Sequence, residues 1–108
     1  MFFDNKAFFD FVKRCREAGI NVPIIPGLKP LVTAKQLKSL PATFSISIPE
    51  EFRKEIEACG EDAAKVKNAG LEWTVNQAKE LKAAGVPVIH FYTMSKTENI
   101  ARIAKEIF

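Results

Sequence analysis

Two short apolar runs decide what this chain is able to become. Val22-Pro23-Ile24-Ile25 leads into Pro26-Gly27, and Val86-Pro87-Val88-Ile89-His90-Phe91-Tyr92-Thr93 follows Gly85. Short runs of β-branched and aromatic residues between turn signals read as strands buried on both faces. Proline lacks the ladder donor, so Pro23 and Pro87 belong near the strand starts. A third apolar piece, Met1-Phe2-Phe3, reads as the end of a strand.

The remainder is helical in period. Phe8, Phe11, Val12, Cys15 and Ala18 recur at helix spacing after Asp4, a natural N-cap, and Gly19 sits where a left-handed C′ residue belongs. A helix is expected over 5–18. A short helix should open near Thr33 and stop before Pro41. Residues 42–48 alternate like a strand and fit either a strand or an extended connector. Pro49-Glu50-Glu51 then opens another helix, with acids at its positive end, that runs to about Gly60.

The longest helix is expected over 61–84. One stripe runs Ala63, Val66, Gly70 and Trp73 and meets Gln77; a second runs Leu71, Val75, Ala78 and Leu81. Gly70 costs up to about 1 kcal/mol inside a helix, which points to close packing or a break there. A last helix, capped by Ser95 or Thr97, carries Ile100, Ile103, Ala104 and Ile107. Strands alternating with helices imply parallel pairing through right-handed crossovers, hence an α/β fold.

Composition narrows the function classes. The 108 residues make one domain, well short of the roughly 250 that a complete (β/α)8 barrel needs. Sixteen Lys and Arg against thirteen Asp and Glu give +3, scattered along the chain rather than striped, which argues against a nucleic-acid groove. Cys15 and Cys59 stand far apart, and His90 is the single histidine, too few ligands for a structural zinc site. Free thiols, no signal peptide and no apolar run long enough to cross a bilayer together suggest a cytoplasmic protein without a membrane partner.

Parallel α/β proteins bind ligands at the carboxyl ends of their strands. That selects Asp4, the loop from Pro26 to Thr33, and Tyr92 to Lys96. Alternation puts Val88, His90 and Tyr92 on one face of the last strand, and Ile89 and Phe91 on the other. The apolar pair suits the helices, leaving His90 and Tyr92 on the face that lines the interior of a closed barrel. Capping accounts for Asp4 and Thr33, and the helix dipole for Glu50 and Glu51. No nucleophile–base pair, carboxylate dyad or glycine-rich phosphate loop stands out.

Two stretches add a resemblance. Ile24-Ile25-Pro26-Gly27-Leu28-Lys29-Pro30 followed by Gln36, and His90-Phe91-Tyr92-Thr93-Met94 preceded by Gly70-Leu71-Glu72 and Gly85-Val86-Pro87, resemble the methylenetetrahydrofolate reductases. Phe2-Phe3-Asp4, Cys15 with Ala18-Gly19, Ile48-Pro49 and Asp62-Ala63-Ala64 fall in the matching order, so the resemblance covers essentially the whole chain.

The resemblance implies a flavin-dependent (β/α)8 barrel that reduces 5,10-methylenetetrahydrofolate to 5-methyltetrahydrofolate, with FAD relaying hydride from a reduced nicotinamide. This chain is similar to the last three βα units, a partial barrel. The family's catalytic glutamate and most FAD contacts lie in the earlier units, so no catalytic residue is expected here and FAD is not expected to bind this chain alone. On the folate side, the resemblance assigns Gln36 to a folate-contacting glutamine and Leu40, one turn on, to an apolar residue beside the substrate. Tyr92 and Met94 take strand-end positions near flavin and substrate. Lys96 stands where the family has an arginine that meets the glutamate tail; it keeps the charge and loses the bidentate fork. Ser95 replaces an asparagine. A partial barrel has unpaired edges and an exposed inner face, so a homo-oligomer or pairing with a complementary barrel segment is also expected.

Overall fold

A computed structural model describes residues 1–93 and 97–108. Helix α1 spans Asn5–Glu17, and its N-cap is the anticipated Asp4, whose side chain accepts from the Lys6 N–H at 3.0 Å. The helix ends into Gly19, held at φ +85°. Strand β1 is Gly27–Leu28, α2 is Gln36–Phe44, α3 is Glu50–Ala58, α4 is Ala63–Ala83, β2 is His90–Phe91 and α5 is Thr97–Ile107. The strands pair in parallel, Gly27 beside His90 and Leu28 beside Phe91, as an α/β fold requires.

Helix α4 is the central element. Asp62 caps it by accepting from the Ala64 and Lys65 N–H groups. On one side Val66 joins Phe3, Leu31, Leu37, Leu40, Ile48, Phe52 and Ile56 in a first core. On the other, Leu71, Val75, Ala78 and Leu81 meet Leu28, Ile103 and Ile107, with Phe8, Phe9, Ile89 and Phe91 packed around them. Burying each large aliphatic side chain contributes about 1.5–3 kcal/mol, so the two stripes on α4 hold both halves together. Gly70 is where the Leu31 backbone passes against the helix: a Cβ there would fall 1.5 Å from the Leu31 carbonyl oxygen. The helix continues unbroken through this glycine, which is the close-packing alternative of the two the sequence allowed.

Gln77, the polar residue on an apolar stripe, is buried for a reason. Its Nε2 donates to the Phe2 carbonyl at 3.1 Å, and Trp73 Nε1 donates to the Phe3 carbonyl at 2.9 Å. Residues 1–3, expected as a strand, therefore lie outside the sheet, with two of their carbonyls satisfied by side chains of α4. Trp73 also stacks on Phe52, with centroids 4.6 Å apart and planes 7° from parallel.

Further expectations are corrected. The short helix does not stop before Pro41; it runs through it to Phe44. Proline removes only the one bond to the Leu37 carbonyl, and Leu37 and Leu40 are both buried in the first core, which favours continuing the turn. Ser45 then ends the helix in the left-handed region, φ 53°. Residues 42–44 are thus helical and 45–49 are a connector without strand pairing. The run 22–25 is not a buried strand, for Val22 and Ile25 are 62% and 55% exposed. Pro23 and Pro26 have no donors to give, so the ladder starts at the Pro26 carbonyl, which accepts from His90 N–H at 2.9 Å. Within 86–93 only His90 and Phe91 are paired, closed by the Tyr92 N–H donating to Leu28 at 2.9 Å. Cys15 and Cys59 are free thiols. Thr97 is the first residue of α5 rather than its cap, and Ser95 lies outside the described residues.

Candidate functional site

The carboxyl ends of β1 and β2 open on a cleft of about 290 Å³. Its walls come from four places. The loop leaving β1 gives Lys29, Pro30 and Val32; the chain leaving β2 gives Tyr92 and Thr93; the first turn of α5 gives Asn99 and Ile100. Gln36, the first residue of α2, completes it. Parallel pairing makes this meeting unavoidable, since both strands run the same way and end on the same side.

Gln36 has a defined orientation. Its Oε1 accepts from the Val32 N–H at 2.7 Å and the Thr33 N–H at 3.1 Å. The carbonyl half of the amide is committed to the loop, and Nε2 is the half left to a ligand. A group so held offers donors and suits a ligand that presents an acceptor. Tyr92 is 37% exposed and meets the His90 ring edge to face, with centroids 4.7 Å apart and planes at 72°. The anticipated alternation holds here: Ile89 and Phe91 pack into the second core while His90 and Tyr92 face away from it.

The structure thus brings together Gln36 and Tyr92. Leu40 lies elsewhere, 5% exposed within the first core, where it packs with the α3 side of the molecule. Met94 and Lys96 fall outside the described residues. Asn99 was not anticipated as a lining residue; its only signal in sequence was a polar side chain one residue before the apolar stripe of α5. Trp73 and Gln77 were likewise read as stripe positions, not as donors to the chain start.

Two larger concavities compete for attention. One, about 760 Å³, sets the carboxylates of Asp4, Glu50, Glu51, Glu55, Glu72 and Glu80 against the single cation Lys6 in its lining and disfavours an anionic ligand such as a folate with its carboxylate tail. The other, about 470 Å³, is an apolar groove at the opposite ends of the strands, between α1 and residues 84–88. Among the described residues no group of three or more His, Cys, Asp or Glu is placed to hold a metal, and no helix is long and apolar enough to cross a membrane.

Fold and cleft together define a parallel βα unit with a cleft at the strand ends. Comparison with known proteins makes the class specific. The family model described as methylenetetrahydrofolate reductase matches residues 1–107, and the chain belongs to that family. It is 32% identical over 108 residues to the "Probable methylenetetrahydrofolate reductase (NADPH)" of Caenorhabditis elegans, covering 99% of this chain and 16% of that protein. It is 34% identical over 97 residues to the "5,10-methylenetetrahydrofolate reductase" of Escherichia coli (strain K12), covering 90% of this chain and 33% of that protein. Against "Methylenetetrahydrofolate reductase (NADH) 1" of Arabidopsis thaliana the figures are 30% over 95 residues, 88% and 16%. The chain therefore spans a third or less of the length of these relatives.

Proposed function

We propose that the chain is the C-terminal, folate-contacting portion of a 5,10-methylenetetrahydrofolate reductase, an oxidoreductase of one-carbon metabolism, and that it does not turn over alone. The observation that carries the reading is the meeting of Gln36 and Tyr92 on one cleft at the strand ends, with the Gln36 amide held so that its donors are available. In this reading Gln36 donates to an acceptor on the folate and Tyr92 flanks its ring; for Met94 and Lys96, which lie outside the described residues, the family resemblance supplies the roles of neighbour to flavin and substrate and of cation for the carboxylate tail. Leu40 supports the Gln36 helix from the core. FAD, whose contacts the family resemblance puts mostly in the earlier units, is assigned to the remainder of the barrel. The site of action is the cytoplasm.

The test is complementation. Alone, with FAD and reduced nicotinamide, the chain should give no reduction of methylenetetrahydrofolate. Joined to the rest of the Escherichia coli relative in place of its matched segment, it should support turnover, and Gln36→Ala should then raise KM for the folate about tenfold or more. A folded chimera with unchanged KM in the variant overturns the folate assignment.

A second reading is a non-enzymatic truncated α/β module that self-associates or binds a small molecule, and its surface favours self-association or pairing with a complementary barrel segment. Val22, Ile25 and Val88, which line or adjoin the apolar groove, and nearby Phe11 are all more than half exposed. A monomer in light scattering across the micromolar range would remove it.

A further inference from the structure

Gly27 is buried in β1, and its backbone is not in the left-handed region, so its conformation does not call for glycine. What calls for it is Tyr92. In the parallel register Gly27 lies beside His90, on the face that His90 and Tyr92 share, and Tyr92 is its diagonal neighbour. The Tyr92 ring lies back over the Gly27 backbone: a Cβ at Gly27 would fall 2.6 Å from Cε2, 2.9 Å from Oη and 3.1 Å from Cζ. The ring also meets His90, with centroids 4.7 Å apart and planes at 72°. Tyr92 thus stands against a backbone with no side chain and beside a neighbouring imidazole, and the ring is one wall of the cleft that also holds Gln36.

We propose that Gly27 is a positioning residue: its missing side chain sets where the Tyr92 ring stands, and so fixes the shape of the ligand cleft. The part concerning ligand shape rests on the folate reading above; the part concerning the ring does not. A methyl at residue 27 unseats the ring, because a ring atom at 2.6 Å cannot be accommodated without movement.

The chain has one tyrosine and one histidine, so each gives a single, directly assignable set of ring signals in proton NMR. In the unmodified chain the Tyr92 ring should show cross-relaxation to the Gly27 α protons, and the His90 ring signals should carry a ring-current shift from Tyr92. Gly27→Ala should abolish that ring-current shift, and Tyr92→Ala should do the same. Titration with 5-methyltetrahydrofolate gives the second readout. Gly27→Ala should weaken binding about tenfold, and in a Tyr92→Ala background, where the clash is gone, it should have no further effect.

Unchanged His90 signals in Gly27→Ala overturn the inference, and so does an equal loss of binding with and without Tyr92. The double variant relieves the clash, so it reports on the coupling even where Gly27→Ala alone folds poorly. If no form of the chain binds the folate while the ring signals move as described, the folate reading fails and the placement of Tyr92 by Gly27 stands.

Discussion

Gly70→Ala should destabilise this protein although the substitution normally favours a helix. Replacing an interior helical glycine by alanine contributes about 1 kcal/mol of stability where nothing is in the way. Here the new Cβ would fall 1.5 Å from the Leu31 carbonyl oxygen and 2.8 Å from its carbon. Ordinary contact requires the loop to retreat by about 2 Å. The obstructing atoms are backbone, so no rotamer change relieves them. Leu31 is fully buried in the first core, flanked by Pro30 and Val32 of the cleft wall, and must move with its carbonyl. Overpacking of this kind typically costs 1–3 kcal/mol, and lost Leu31 packing adds to it, for a net destabilisation of about 2–3 kcal/mol after the helix term. For a chain of this size that lowers Tm by roughly 10–20 °C. Thermal and urea unfolding followed by circular dichroism would read it, with Asn76→Ala on the exposed side of α4 as a control expected within about 0.5 kcal/mol of the parent. A Gly70→Ala protein as stable as the parent, or more so, would mean that the Leu31 loop does not cross α4 there.

Other outcomes follow from single contacts. Trp73→Phe keeps the stack on Phe52 but strands the Phe3 carbonyl, and should cost about 1 kcal/mol in urea unfolding. Asp62→Ala removes the cap of α4 and should cost a similar amount, about 1 kcal/mol, by the same measurement. Gln36→Glu is more discriminating: a carboxylate still accepts from Val32 and Thr33, so Tm should hold, while calorimetric affinity for 5-methyltetrahydrofolate should fall because the free half is now an acceptor.

The helices were legible because their signals are local. Asp4, Gly19 and the stripes of α4 each act within a turn or two of chain, and α1 and α4 lie within two residues of where spacing put them; the Asp62 cap of α4 was seen only in the structure. The strands were legible only in direction and face. Ile89 and Phe91 turned inward as alternation requires, but where the ladder starts depends on which carbonyls meet which donors across 60 residues of sequence, and the prolines at 23 and 26 moved it past the apolar run. Proline also misled at residue 41, where two buried leucines outweighed one missing hydrogen bond. In the cleft, the resemblance supplied Gln36 and Tyr92. The commitment of the Gln36 carbonyl to the loop, the role of Gly27 and the presence of Asn99 are tertiary facts with no short-range signature.

A titration of the isotope-labelled chain with 5-methyltetrahydrofolate, followed residue by residue in amide and side-chain NMR, bears most directly on the folate assignment. The cleft described here predicts weak saturable binding whose shifts centre on Gln36 Nε2, Tyr92, Thr93 and Asn99, with little change around α3 or the apolar groove beside α1. Shifts confined to that groove, or none at millimolar ligand, would contradict it.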